Sequence, residues 1–228
     1  MVIGLIFDPK YLLQIECLLS FGLLLQVTIE HATLASISYH GYYKKVDVQT
    51  PSGTFTALLV QEGCDAPTDV ASVNTTITIP VTAVGVTDTS TLPFVEQLGE
   101  RPSIKAVGSS AAYITSNCIH RQLDTNETIV AYANWAYDTA AAKSAGVDGA
   151  STVTLAGRYA SAGVAAAGMN MIPMQEPYEP SSLVRPFRIL FLLFFFLRGL
   201  LFAPSPYPTY PTSQSFSMSL CIRITSVF

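Results

Sequence analysis

The chain has 228 residues, of which 50% are hydrophobic and 12% are charged, so it can build the core of one domain of ordinary size. This composition excludes an intrinsically disordered chain, and the length excludes a miniprotein that depends on disulfides for its core. With 12 basic against 16 acidic side chains, the formal net charge of −4 argues against nucleic acid as a partner and against a polybasic membrane patch.

Residues 1–35 are predicted to be a secretory signal peptide. A largely apolar stretch covers residues 11–29, with Lys10 ahead of it and small residues behind it that suit cleavage after Ala35. An uncleaved anchor or a buried helix is the alternative, and Glu16 inside the stretch weakens both the signal and the anchor. The expected destination is the secretory pathway and then the extracellular space or the cell surface, with or without membrane association.

Residues 36–185 carry the strand and helix patterns of the folded part. The aromatic cluster at 39–43 is interpreted as the start of a strand or as an adhesive surface. β-Branched residues over 76–87 predict one or two buried strands interrupted near Pro80, and residues 88–91 offer N-cap side chains for a helix that ends at Gly99. The next predicted elements are a strand at 104–107, a helix near 116–123, a polar loop at 124–128 and a strand at 129–133.

The second half of this region continues the alternation of strands and helices. Asp138 is predicted to cap an alanine-rich helix that Gly146 closes, and a later helix is predicted to end at Gly168. The elements are a helix at 139–145, a strand at 151–155, a helix at 160–167 and a strand at 170–174. Strands that alternate with helices through short loops predict the α/β class, with a parallel sheet and helices on both of its faces.

Residues 186–228 differ from the rest, because their charged side chains are arginines alone. The apolar run at 189–203 is shorter than the roughly 20 residues that a membrane-spanning helix needs, and Arg198 interrupts it. Prolines crowd the stretch that follows, so neither a helix nor a central strand is expected there. We interpret this segment as a tail outside the fold, and a short membrane anchor is the alternative.

Ligands of a parallel sheet collect outside the carboxyl ends of its strands, where loops converge and helix N-termini present free amide groups. The loops expected at those ends hold tyrosine, tryptophan and arginine side chains, which suit a large polar or aromatic ligand, although each can equally be an ordinary surface residue. The candidate ligand-binding residues are Thr89, Ser90, Ser109, Ser110, Tyr113, Trp135, Arg158, Tyr159, Glu176 and Tyr178.

Four segments carry a family resemblance through their order and spacing: TSTLPFVEQLG at 89–99 with IKAVG at 104–108, residues 134–153, MIPMQE at 171–176, and EPSSLVR at 179–185. Together, residues 84–185 resemble the N-terminal lobe of the periplasmic binding proteins that deliver iron–siderophore complexes, haem or cobalamin to ABC importers. The resemblance stops at Arg185, where the connecting helix and second lobe of that family would begin. The chain alone is therefore expected to lack half of a two-lobed clamp.

The resemblance implies a noncatalytic solute-binding protein that takes up a metal chelate. No cofactor is expected, and iron or cobalt would enter only as part of the bound chelate, without protein side chains as metal ligands. A membrane transporter or receptor is the partner that such a protein would feed. Two other classes stay open, namely a secreted or membrane-anchored adhesion or structural module, and an enzyme on a doubly wound scaffold.

An enzyme is not expected, because the motifs that would carry one are missing from the sequence. There is no Walker phosphate loop, HExxH, GxSxG or CxxC motif, and the two glycines at 163 and 168 lack the third of a dinucleotide loop. Cys118 and His120 lie two positions apart on a predicted helix, which points them to different faces and argues against a shared metal or a nucleophile–base pair.

The cysteines and sequons fit an exported protein. Cys64 and Cys118 are expected to form a disulfide in an oxidising compartment, with two independent buried thiols as the alternative. The sequons at Asn74 and Asn126 lie in predicted loops and make these asparagines candidate glycosylation sites.

Overall fold

The computed structural model describes residues 32–178, which form two β-sheets, a small hairpin and four short helices. The first sheet is mixed: three strands run antiparallel to their neighbours and the fourth pairs parallel with the third. Its strands, in spatial order, are β1 (Ala35–His40), β2 (Tyr43–Thr50), β3 (Gly53–Gln61) and β4 (Thr75–Ile79).

The second sheet has five strands, and all of its neighbouring strands are parallel. In chain order these strands are β5 (Ala83–Val86), β6 (Ile104–Val107), β7 (Ile129–Val130), β10 (Thr152–Ala156) and β11 (Met171–Pro173). In space their order is β11-β10-β5-β6-β7, so β5 lies at the centre. The hairpin between β7 and β10 consists of β8 (Tyr132–Ala133) and β9 (Ala136–Tyr137).

Four helices connect the strands of the parallel sheet, each between two consecutive strands of that sheet. They are α1 (Leu92–Gln97), α2 (Asn117–Asp124), α3 (Thr139–Ser144) and α4 (Ser161–Ala166). The side chains of Ser116 and Asp138 each accept a bond from the backbone N–H three residues on, so both helices have the capping side chains that their sequences favour. Thr91 precedes α1 without such a bond, contrary to the capping predicted for residues 88–91.

The two sheets belong to one folded unit, because a single apolar cluster joins them. Val46 and Leu59 of the mixed sheet lie in the same cluster as Val84 and Leu155 of the parallel sheet, together with residues of α1 and α2. A second cluster, on the other face of the parallel sheet, includes Ala142 of α3 and Val164 of α4. The parallel sheet is therefore covered on both faces, as buried parallel strands require.

The α/β class with a parallel sheet is confirmed, with element boundaries within about two residues of those expected. The region 76–87 forms two strands that belong to different sheets, with a cis peptide bond before Pro80 between them. The strand expected at 129–133 is divided into β7 and β8. The mixed sheet was not predicted, although the aromatic cluster at 39–43 does lie in a hairpin, at the turn from β1 to β2.

Several predictions on the flanking segments fall outside the described residues. They include the apolar part of the signal peptide and the whole tail at 186–228. Ala35, after which cleavage is predicted, is the first residue of β1. Within residues 32–178, no helix is long and apolar enough to cross a membrane.

Lys44 is a lysine on the inner face of the mixed sheet. Alternation along β2 buries it together with Val46 and Val48, and only 2% of its surface is exposed. Its ammonium nitrogen lies 5.9 Å from the centroid of the Tyr39 ring on β1. Because burial penalises the charged form, the pKa of Lys44 is lowered to about 8.

This burial predicts that the free energy of unfolding rises between pH 8 and pH 10. The unfolded chain keeps a proton on Lys44 in this range while the folded protein releases it, so the folded state gains roughly 2 kcal/mol. Lys44→Met should flatten that rise and increase stability near pH 7, whereas Lys105→Met on β6 should keep the rise. Urea unfolding at stepped pH measures both, and parallel curves for the parent and Lys44→Met would contradict the assignment.

Candidate functional site

The strand order places the topological switch point of the parallel sheet at the carboxyl ends of β5 and β10. From β5 the chain continues to β6 and β7 on one side, and then crosses back to β10 and β11 on the other side. The loops that follow β5 and β10 therefore lead away in opposite directions, and ligands of doubly wound sheets bind in the gap between such loops. Residues 87–91 and 157–160 form the two walls of this gap.

A hydrogen-bonded group joins the two walls. The backbone N–H of Gly157 donates to Oγ1 of Thr87 at 2.7 Å, and the Thr87 hydroxyl group lies close enough to the Asp88 carboxyl group to influence its pKa. The Asp88 carboxylate lies so close to Gly157 that a Cβ on residue 157 would overlap it. Partial shielding from water raises the pKa of Asp88, and the Thr87 hydroxyl group works against that rise.

Exposed aromatic side chains gather at the same edge of the parallel sheet. Among residues 32–178, every large hydrophobic side chain that is exposed lies at or after the carboxyl end of a parallel strand. They are Tyr113, Val130, Trp135, Tyr159 and Tyr178. Neighbouring strands are about 4.8 Å apart, so the five strand ends form an edge roughly 19 Å long. Their placement after the strand ends makes this edge the candidate binding surface of the described residues.

Trp135 occupies an unfavourable backbone conformation at the tip of the β8–β9 hairpin. Asn134 and Trp135 form its two-residue turn with φ values of 50° and 63°, and 87% of the Trp135 surface is exposed. Turns of this kind favour glycine at the second position, because a side chain there is strained. The Trp135 ring meets Tyr132 edge to face, with centroids 6.5 Å apart. The chain thus holds a large aromatic ring in solvent at a cost in backbone energy.

Tyr137 fixes the base of this hairpin to the parallel sheet. Its side chain lies across Gly85 on β5 and Gly108 after β6, and a Cβ at either glycine would overlap it. The hydroxyl group is buried near Thr154 of β10, and this burial raises the pKa of Tyr137 to about 12. The neutral phenol therefore persists at every physiological pH, and Tyr137 acts as a packing element.

Arg158 and Tyr178 pair on the β10–β11 side of the gap. The Arg158 guanidinium carbon lies 5.1 Å from the centroid of the Tyr178 ring, which is cation–π geometry. Both residues are exposed, and Tyr159 beside them is 94% exposed. A guanidinium oriented by an aromatic ring is prepared to receive the anionic or carbonyl oxygens of a ligand.

The remaining predicted site residues lie in the same set of loops. Ser109 and Ser110 are half-buried after β6, and Thr89 and Ser90 follow Asp88, while Glu176 begins the short 3-10 turn that ends at Tyr178. The sequence did not single out Asp88 or Tyr137 as functional residues. Glycine in the short strand β5 was the available signal, because a glycine inside a strand often marks a close approach of another group.

Cys64 and Cys118 are both disulfide-bonded, and residues 32–178 contain no free cysteine. His120 is bonded through Nε2 to the Ile114 carbonyl oxygen at 2.8 Å. In the described part of the chain, no group of three or more histidine, cysteine or acidic side chains could hold a metal ion. Asn126 is exposed in the turn after α2, and Asn74 is exposed before β4, with Oδ1 accepting a bond from the Thr56 N–H at 2.7 Å.

No protein-family model matches this chain, and no curated protein is significantly similar to it in sequence.

The packing of Tyr137 on glycine predicts that Gly108→Ala disturbs the hairpin. The added Cβ would overlap the Tyr137 ring, so we expect a loss of about 1–3 kcal/mol in stability and a shifted emission from Trp135, the single tryptophan of the chain. Gly163→Ala is the matched control, because a Cβ there meets nothing within 4 Å and suits a helix. If Gly108→Ala leaves the emission and the stability unchanged, Tyr137 does not hold the hairpin on the parallel sheet.

The oxidised cysteines predict a Cys64–Cys118 link. Peptide mapping without reduction should recover a fragment that joins the two, and the double replacement by serine should cost roughly 4 kcal/mol of stability, as expected for a closed loop of this length. Recovery of Cys64 or Cys118 linked to Cys17 or Cys221 would contradict this pairing.

Proposed function

We propose that this chain binds a metal chelate, such as an iron–siderophore complex, haem or cobalamin, at the carboxyl edge of its parallel sheet, without catalysing a reaction. The observation that carries the proposal is the concentration of exposed aromatic side chains along that edge, beside the Arg158–Tyr178 pair. Aromatic faces suit the flat or apolar surfaces of such chelates, and a guanidinium suits their oxygen atoms. An edge of roughly 19 Å accommodates ligands of this size.

The proposal also includes a location and a partner. The predicted signal at residues 1–35 supports export, and the resemblance of residues 84–185 to a solute-binding lobe supports delivery to a membrane transporter or receptor. In the family that residues 84–185 resemble, a second lobe closes over the ligand; a second lobe supplied by a partner chain would cover this edge and bury the aromatic side chains. The exposure of these aromatic side chains supports a surface that a second lobe would cover.

Ligand titration tests the proposal, with Trp135 as the reporter. Haem, cobalamin and a panel of ferric siderophores are added to the full chain, and at least one is expected to quench tryptophan emission saturably. A chain whose emission and binding heat respond to none of these chelates is not a chelate-binding lobe. Such a result would favour the adhesion or structural module instead.

Trp135→Gly separates a binding role from a structural one. Glycine relieves the positive φ of this turn, so the free energy of unfolding should stay equal or rise by up to about 1 kcal/mol. Calorimetry should show affinity for the bound chelate reduced at least tenfold, because an exposed aromatic contact is lost. A variant that binds as tightly as the parent would exclude Trp135 from the site.

A further inference from the structure

Gly157 is a glycine whose backbone does not require one. Its φ lies outside the left-handed region in which the turn glycines of this chain, such as Gly146 and Gly168, are found. What glycine provides at this position is space, because any Cβ would overlap the Asp88 carboxylate. The space that a side chain at position 157 would take is therefore occupied by the Asp88 carboxylate.

The same arrangement fixes the orientation of Thr87. Since Oγ1 of Thr87 accepts the Gly157 N–H, its own proton is free to point toward the Asp88 carboxyl group. A carboxylate has about four lone-pair positions, and a single hydroxyl fills one of them. Among residues 32–178, no lysine, arginine or histidine lies within ion-pair distance of Asp88. The carboxylate therefore keeps acceptor capacity, and Asp88 is an exposed residue.

The surroundings of Asp88 determine which donor it would accept. It follows β5, the central strand, so aromatic side chains lie along the edge to both sides, with Tyr113 and Trp135 on the β6–β7 side and Tyr159 and Tyr178 on the β10–β11 side. The nearby cation, Arg158, is stacked on Tyr178, toward β11. A partly shielded carboxylate gains more from a charged donor than from a neutral one, and aromatic faces attract cations as well.

We propose that Asp88 is the specificity-determining residue of this edge and that it pairs with a protonated amine on the bound chelate. This inference rests on the proposed function, and it adds a chemical class: a chelate with a primary ammonium group and with oxygen atoms that Arg158 can reach. Thr87 and Gly157 act as positioning residues in this proposal, because Gly157 bonds Thr87 and leaves the space that the Asp88 carboxylate occupies.

Two ferric chelates that differ in a single charge test the proposal. Ferrioxamine B carries a free primary ammonium, and its N-acetyl derivative has the same iron-binding groups without that charge. By calorimetry, the parent chain should bind ferrioxamine B at least tenfold more tightly than the acetylated form. Asp88→Asn should abolish this preference while changing the affinity for the acetylated form less than twofold.

Two further variants exclude general effects of charge and folding. Gly157→Ala keeps the carboxylate in the sequence but displaces it, so it should also reduce the preference, with folding checked by thermal unfolding. Asp124→Asn removes an exposed carboxylate at the far end of α2 and should leave the preference intact. Equal binding of both chelates by the parent would overturn the role of Asp88 and leave the proposed function standing. Failure of both to bind, together with failure of the wider chelate panel, would overturn the proposed function and this inference with it.

Discussion

The central position of β5 determines where the site lies and which residues compose it. The strand has a parallel neighbour on both sides and its four residues are all buried, so its end is the point where the two halves of the parallel sheet meet. Thr87 and Gly157 come together there across 70 positions of the chain. This bond extends the parallel pairing of β5 and β10 into the loops that follow them, where the Thr87 N–H also donates to the Leu155 carbonyl oxygen at 3.1 Å.

The glycines of this structure fall into two groups with different physical roles. Gly41, Gly99, Gly146 and Gly168 have positive φ values and nothing within 4 Å of an added Cβ, so they serve the backbone of turns and helix ends. Gly85, Gly108 and Gly157 have ordinary φ values and closely packed neighbours. All three border Tyr137 or Asp88. The second group therefore lies at the candidate site. Each of these glycines gives up the local conformational preference of a larger residue and leaves room for one particular side chain.

The sequence predicts the parallel half of the fold because the signals there are local. Asp138 lies one residue before its helix and Gly146 just after it, so their effects depend on neighbours along the chain. The mixed sheet has local signals too, since Lys44, Val46 and Val48 alternate with half-buried residues along β2. Its pairing, however, joins β3 to β4 in parallel across an intervening loop, and no periodicity specifies such a partner.

The candidate site also contains some residues that local signals predict and one, Asp88, that they do not. Tyr113, Trp135, Arg158, Tyr159 and Tyr178 could be found from the sequence because each follows a predicted strand, and the carboxyl ends of parallel strands share one edge. For Asp88, the sequence predicts a position in a loop at this edge and a role in capping a helix. Its role depends on Gly157, which is distant in sequence, and on the lack of a nearby cation among the described residues. Such contacts become visible only when the strands are placed side by side.

The hairpin that carries Trp135 combines a strained tip with a tightly packed base. At the tip, a tryptophan with positive φ gains nothing from burial, since 87% of its surface meets solvent. At the base, Tyr137 fills the space above two glycines and buries its hydroxyl group. Folding stability alone would favour glycine at position 135, because φ is positive there. Folding stability also does not require the tip of the hairpin to keep a fixed position. A rigid base becomes useful when the exposed ring must meet a second body in a defined orientation, and this relation links the packing of Tyr137 to binding at the edge of the sheet.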